Sequence, residues 1–309
     1  MTKINSPIDR DRSAVLTAPD GCTTFRASSI PTARQIADWC HPRSSLDRRI
    51  RDSVDLSVVR LARDRPTRLL GIWAHPDDEA YLSAGLMART TADGGHVTVV
   101  AITDGEAGFP ADDARTTGER AAQRRRELQA AMARIGVDDV RFLGVADGGV
   151  ATAPANALVT EISDIIRDVD PDVVVTFGPD GITGHPDHVA NSHLVTRAWT
   201  DTNIGDLWYA AKTNEWLAEW RQLHDDFGVW MTGEPTGVRA EDVEMIVELG
   251  NVELDTKRAV LAEHRSQTDG LAAAFGERRY RGWICQETFR RPSARDLVGQ
   301  SDLVGSMAP

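Results

Sequence analysis

Between Arg68 and Ala211 the chain alternates short apolar runs rich in β-branched residues with longer stretches of helical periodicity, and this alternation restricts the fold more than any other feature. Leu69 to Ala74, His96 to Thr103, Val140 to Leu143, Asp172 to Phe177 and Leu207 to Ala211 read as strands. Ala80 to Thr91, Arg115 to Ile135, Ala155 to Val169 and Val189 to Thr200 read as helices between them. A strand that must return parallel to its predecessor needs a crossover of this kind. The expected architecture is therefore α/β: a Rossmann-like, mostly parallel sheet with helices on both faces.

Two segments fall outside that pattern. Residues 1 to 65 carry Pro7, Pro19, Pro31 and Pro42 and no strand pattern, and read as an N-terminal extension. Within it, Ser45 to Arg65 has the spacing of an amphipathic helix packed on the main domain. Beyond Ala211 the sequence suggests a smaller C-terminal α+β part, with a strand at Val243 to Leu249, a helix at Asp255 to Gln267 and a frayed tail from 291 to 309. Trp208, Trp216, Trp220 and Trp230 cluster here and suit core or pocket wall. The main domain is expected over 66–290.

Composition narrows the class of function. With 35 Lys and Arg against 47 Asp and Glu, the formal charge of -12 offers no electrostatic footprint for nucleic acid. The cysteines, Cys22, Cys40 and Cys285, are far apart and lack CxxC spacing, so any metal would use nitrogen and oxygen ligands. No apolar run approaches the roughly 18 residues of a membrane span. Asp9, Arg10, Asp11 and Arg12 stand where a signal peptide would be apolar, and a cytoplasmic location is expected.

The chemistry-bearing residues lie just after two of the strands. Ala74-His75-Pro76-Asp77-Asp78-Glu79 joins the first strand to the first helix. In an open α/β sheet this is where ligands bind, outside the carboxyl ends of strands. His75 and Asp78 are suitable zinc ligands, and Asp77 is available as a base. By itself such a loop is also a good helix start, since Pro and Asp are favoured there. The second segment, Gly178 to His188, contains Gly184-His185-Pro186-Asp187-His188 and again follows a strand. His75, Asp78 and one of His185 or His188 would complete three ligands, leaving a fourth position for water as in catalytic zinc sites.

These motifs resemble the LmbE-like, or PIG-L, family of zinc-dependent N-acetylglucosaminyl deacetylases. The resemblance extends through Thr103-Asp104-Gly105-Glu106, Arg124-x-x-Glu127, Ile135-Gly136, Asp147-Gly148 and His264-Arg265-Ser266-Gln267, covering about residues 67 to 290. It implies His75, Asp78 and His188 as metal ligands and Asp77 as the general base acting on water. It implies His185 as the group that stabilises the oxyanion or protonates the leaving amine, oriented by Asp187. Arg124 and Asp147 correspond to positions that bond sugar hydroxyls, and His264 to the site rim. For Arg124, flanked by Arg125 and Arg126, a solvated helix face is an equal reading, and for His264 a polar helix end packed on the sheet.

The implied cofactor is Zn2+, with Fe2+ also compatible with this donor set. The implied substrate is a small-molecule amino sugar, and a homo-oligomer is left open. The implied reaction removes an N-acetyl group from an N-acetylglucosamine-containing compound. Two alternatives are an amidase acting on a larger acyl glucosamine amide, such as a mycothiol S-conjugate, and a nucleotide-binding module. Against the latter, the first strand lacks the GxGxxG turn, and Asp77, Asp78 and Glu79 would repel phosphate.

Overall fold

The computed structural model describes residues 66–298 and, ahead of them, two short strands. These are β1 (Val15–Thr17) and β2 (Thr24–Arg26), which pair antiparallel, so the extension does contain strand where none was expected. The amphipathic helix expected over Ser45 to Arg65 and the tail from 299 onward lie outside the described residues.

The main sheet has seven strands: β3 (Arg68–Trp73), β4 (His96–Thr103), β5 (Asp139–Val145), β6 (Val173–Phe177), β7 (Asp206–Ala211), β8 (Met245–Glu248) and β9 (Gln286–Arg290). Their order is β5-β4-β3-β6-β7-β9-β8. The first five run parallel, and β9 enters antiparallel between β7 and β8. The helices that matter for the site are α1 (Asp78–Ala92), α2 (Thr117–Ala133), α3 (Ala155–Val169), α4 (Pro186–Thr202), α5 (Asn214–Phe227), α6 (Asn251–Glu263), α7 (Arg265–Phe275) and α8 (Glu277–Ile284). A ninth, α9 (Ala294–Val298), lies in the tail that was expected to fray; it is held by Arg290 Nη1, 2.7 Å from Asp296 Oδ2.

Strand periodicity divides the core into two layers. Leu69, Trp73, Val97, Val99, Val173 and Val175 face one side, packed with Leu82 and Leu86 of α1, Leu128 and Met132 of α2 and Val260 of α6. Leu70, Ile72, Val100, Ile102 and Val174 face the other, packed with Leu158 and Ile162 of α3 and Leu194 of α4. Chain order reverses between β3 and β6, so their carboxyl ends open the crevice in which doubly wound sheets bind ligands.

Several elements differ from expectation for local reasons. α4 begins at Pro186, not Val189, because proline suits the first helical position and His185 caps it by accepting the Asp187 N–H at 3.1 Å. Asp187 and His188 are thus in a first helical turn. The helix expected over Asp255 to Gln267 is two helices meeting at His264, whose ψ of 47° breaks the run. The helices α5 and α8 and the strand β9 were not anticipated.

A buried ion pair joins the C-terminal part to the main domain. Lys257 Nζ of α6 lies 2.7 Å from Glu287 Oε1 of β9, and both side chains are fully buried. Glu287 also accepts the N–H groups of Gly85 and Leu86 in α1 at 2.8 and 2.9 Å, while Lys257 donates to Tyr81 O at 2.7 Å. A Cβ at Gly85 would lie 2.5 Å from Leu249 and 3.2 Å from the Glu287 oxygens, so this approach requires glycine. Lys257→Met leaves a buried carboxylate without its cation, which costs about 3–5 kcal/mol. For a domain of this size the melting temperature is expected to fall by on the order of 10 °C, measured by calorimetry. A fall below about 2 °C would show that the pair contributes no net stability.

Candidate active site

The loop after β3 delivers His75, Asp77 and Asp78 to the crevice. Asp78 opens α1, and its Oδ2 accepts the His75 N–H at 2.8 Å, which folds the loop back over the helix start. Asp77 is held at φ 131°, ψ −23°, a backbone region unfavourable for a residue with a Cβ. Its N–H donates to Glu79 Oε2 at 2.9 Å, and the other Glu79 oxygen is 2.8 Å from His264 Nε2. Arg124 of α2 closes the turn from the opposite side, donating to Pro76 O, to Gly105 O at 3.2 Å and to Asp77 Oδ1 at 3.3 Å.

Three side chains converge on one point. His75 Nδ1 lies 3.1 Å from His188 Nε2, Asp78 Oδ2 is 3.6 Å from the first and Asp78 Oδ1 is 3.4 Å from the second. The remaining ring nitrogens are committed elsewhere. His188 Nδ1 is 3.0 Å from Gly181 O and 3.1 Å from Thr183 Oγ1, so its proton belongs there and Nε2 presents a lone pair. His75 Nε2 lies 3.1 Å from Asp147 Oδ1 and 3.3 Å from Asp187 Oδ2, the carboxylate–histidine arrangement that orients metal ligands. Burial opposes an imidazolium at His75, but Asp147, Asp187 and Asp78 outweigh it and hold the pKa well above its ordinary value. Asp78 brings its carboxylate beside both His75 Nδ1 and His188 Nε2, so the gap between the rings is bordered by nitrogen and oxygen donors of the types that hold a divalent cation.

Burial also dominates Asp77, lifting its carboxyl to about 6; Arg124 acts the other way and Asp78 adds to the rise. For Asp78 burial is outweighed by His188 and His75, which hold it at about 2. Burial lowers His188 to about 4, opposed by Asp78. His185 is lowered by burial and by His75, and its Nδ1 accepts the Asp187 N–H, so the neutral ring carries its proton on Nε2. The ring centroid of His185 is 4.8 Å from that of His75 and 5.1 Å from that of His188.

Four expectations change. Asp187 orients His75 rather than His185: its carboxylate is bonded to His75 Nε2, Gly148 N and Val150 N, and only its backbone N–H reaches the His185 ring. Arg124 is not a solvated residue but is 2% exposed, and its guanidinium serves Asp77 and two carbonyls. Asp147 borders the cavity, yet both its oxygens are engaged, by His75 and by the Ala107 N–H at 2.9 Å. His264 is fully buried behind Glu79 and does not line the cavity; Gln267, one turn on, does.

The cavity above these groups has a volume of about 490 Å3. It is lined by His75, Asp77, Asp78, His185 and His188, and also by Tyr81, Trp216, Trp230, Trp283 and Lys212. Trp216 and Trp230 thus form pocket wall, whereas Trp208 and Trp220 are core. Tyr81, Lys212 and Trp283 were not singled out from sequence. Tyr81 alone carried a signal, lying one turn beyond Asp77 and Asp78 on the same helix.

Comparison with known proteins agrees with this geometry. The sequence pattern of the family described as PIG-L, GlcNAc-PI de-N-acetylase, matches residues 70–199, which span both motifs. A protein of Streptomyces griseus subsp. griseus named 1D-myo-inositol 2-acetamido-2-deoxy-alpha-D-glucopyranoside deacetylase is 41% identical over 159 residues, 44% of this chain and 50% of that protein. The chain thus spans half the length of that relative. The protein of the same name from Rhodococcus opacus is 33% identical over 238 residues, 65% of this chain and 81% of that protein. The solved structure of N,N'-diacetylchitobiose deacetylase from Pyrococcus horikoshii superposes with a TM-score of 0.50 at 21% identity, covering 85% of this chain and 93% of that one, a likeness of fold. Identity at the level of the Rhodococcus protein, sustained over most of its length, places this chain in the PIG-L family.

Proposed function

We propose that this protein is a metal-dependent amide hydrolase that removes the N-acetyl group from an N-acetylglucosamine-containing small molecule, with His75, Asp78 and His188 as the metal ligands. The reading is carried by the convergence of those three side chains at 3.1–3.6 Å beside an independent carboxylate, Asp77. Zinc is the metal we assign, with ferrous iron the alternative that the same donors accept. The relatives act, by name, on a GlcNAc-inositol, and the same substrate is our first choice here.

An amide needs an activated nucleophile, a stabilised oxyanion and a proton for the departing amine. A bound divalent cation supplies Lewis acidity toward water and carbonyl. Asp77, buried and lifted to about 6, takes the proton of the attacking water and is poised near neutral pH to return it. Arg124 and Glu79 fix the direction of that carboxylate through the strained turn. His185 offers its Nε2 proton to the carbonyl oxygen as charge builds there. Asp147 and Asp187 keep His75 in its ligating orientation.

The test is acetate release from N-acetylglucosamine, its inositol glycoside and diacetylchitobiose, with His185→Ala run alongside. The inositol glycoside is expected to react fastest, and His185→Ala to be slower by about 10²- to 10³-fold with unchanged metal content. Release of a larger acyl group in preference to acetate would transfer the assignment to the amidase reading, which no observation here favours. The nucleotide-binding reading is disfavoured because the carboxylates of Asp77 and Asp78 line the cavity and oppose a phosphate there.

A further inference from the structure

Helical spacing sets the face of α1 that borders the cavity. Asp77 and Asp78 at its start are followed one turn on by Tyr81 and Leu82, and all four line the cavity, whereas Glu79 and Ala80 between them are buried. The chemistry above uses the two aspartates and leaves Tyr81 without a role. Its position is nevertheless fixed. The Tyr81 carbonyl accepts from the buried Lys257 Nζ at 2.7 Å, and its ring meets that of Trp283 edge-on, with centroids 5.8 Å apart. Trp283 is held in turn by donating its Nε1–H to His224 Nε2 at 3.0 Å.

The Tyr81 hydroxyl is arranged to give a proton. Tyr280, fully buried and not part of the cavity lining, donates its O–H to the Tyr81 hydroxyl oxygen at 3.0 Å. Two phenols joined by one hydrogen bond keep one proton to spare, and here it is the proton of Tyr81. Among the described residues that proton makes no second hydrogen bond. A hydroxyl that already accepts a bond is polarised to donate a stronger one. Burial raises both phenols, Tyr280 to about 12 and Tyr81 well above its ordinary value, so each stays protonated through the neutral range. Most other polar groups of the cavity wall are engaged within the protein: Gln267 with Gly108 O, Thr183 with His188 and Trp283 with His224. Arg124 and Asp147, the positions expected to bond sugar hydroxyls, are likewise held by Asp77 and by His75.

We infer that Tyr81 is a specificity-determining residue, whose O–H donates to a hydroxyl oxygen of the amino-sugar ring, and that Tyr280 is the positioning residue that aims it. The inference rests on the amino-sugar reading above and adds to it a group by which the sugar is recognised. The acetyl carbonyl is served by His185, and an amide nitrogen, its lone pair delocalised into that carbonyl, accepts poorly. The hydroxyls of the sugar are the better acceptors. A bond of this kind is made alike in the ground and transition states, so its loss raises KM and leaves kcat unchanged.

Steady-state acetate release by the metal-loaded, full-length protein tests it. The substrates are the inositol glycoside of N-acetylglucosamine and its forms deoxygenated at carbon 3, 4 or 6 of the amino sugar. Tyr81→Phe, which keeps the ring and its packing, is expected to raise KM for the parent glycoside by about tenfold, with kcat within about twofold of wild type. One deoxy form should show the same rise with the wild-type protein and no further rise with Tyr81→Phe, which identifies the hydroxyl that accepts. A merely structural role for Tyr81 would penalise all four substrates equally. Tyr280→Phe should raise KM by about threefold, and should add nothing once Tyr81 is already Phe. The inference is overturned if Tyr81→Phe leaves KM for the parent within about twofold of wild type, or if its penalty persists on every deoxy form. Failure of the amino-sugar reading shows separately, as absence of acetate release from the parent glycoside by the wild-type protein.

Discussion

Asp77→Asn is expected to lower the rate of acetate release by about 10³-fold, equivalent to about 4 kcal/mol of transition-state stabilisation, while metal content stays at the wild-type level. The substitution keeps the shape of the side chain and removes its ability to accept a proton. It also leaves the Glu79 bond to the backbone N–H of residue 77 in place, so the strained turn should persist. Nothing nearby replaces the lost base: Asp78 is occupied by His75 and His188, and Asp147 by His75 and Ala107. Elemental analysis beside the rate measurement separates loss of the base from loss of the metal. A reduction of less than tenfold with full metal content would remove Asp77 from the chemistry.

The second large effect concerns the metal. His188→Ala is expected to abolish stoichiometric binding of zinc and to bring acetate release to background, because two donors do not hold a catalytic ion against solvent. Wild-type protein stripped by a chelator should lose activity equally and regain it when zinc is restored, whereas the variant should not recover. Asp187→Asn, which removes no ligand but weakens the hold on the His75 ring and on the Gly148 and Val150 N–H groups, should lower metal affinity by the smaller factor of about 10 to 100. The contrast is diagnostic. If His188→Ala retained tight binding while His185→Ala lost it, the ligand would be the other histidine of the segment, whose ring nitrogen also comes within 4.8 Å of those of His75 and His188.

The parts of this architecture that sequence reveals are those whose residues answer to a single constraint. β4 and α3 were placed at their exact ends because every other residue, or every third and fourth, is apolar toward one layer. β9 escaped because Gln286-Glu287-Thr288 reads as loop, and it takes the buried Lys257 together with the Gly85 and Leu86 N–H groups to make a glutamate acceptable in a sheet interior. The break at His264 was hidden for a similar reason, since the distant Glu79 takes its side chain.

Within the site, His75, Asp77, Asp78, His185 and His188 were legible because two His-Pro-Asp segments at strand ends have few structural uses. The pairing of Asp187 with His75 was not, since it joins residues 112 apart in sequence. Arg124 could have been placed better. It lies four residues before Leu128 and eight before Met132, on the buried stripe of α2, whereas Arg126 lies off that stripe and is exposed. Helical spacing thus distinguishes the internal arginine from its neighbours. Lys212 carried no such mark, as its environment is assembled from β7, α5, α8 and the segment after α5.

The most direct measurement of the central claim is the simultaneous quantification of acetate and free amine formed from N-acetylglucosaminyl-inositol by zinc-reconstituted protein. The account predicts equimolar appearance of the two products, absent in chelator-treated protein and restored by zinc. Full zinc occupancy at the site with neither product formed from this glycoside, from diacetylchitobiose or from free N-acetylglucosamine would contradict it.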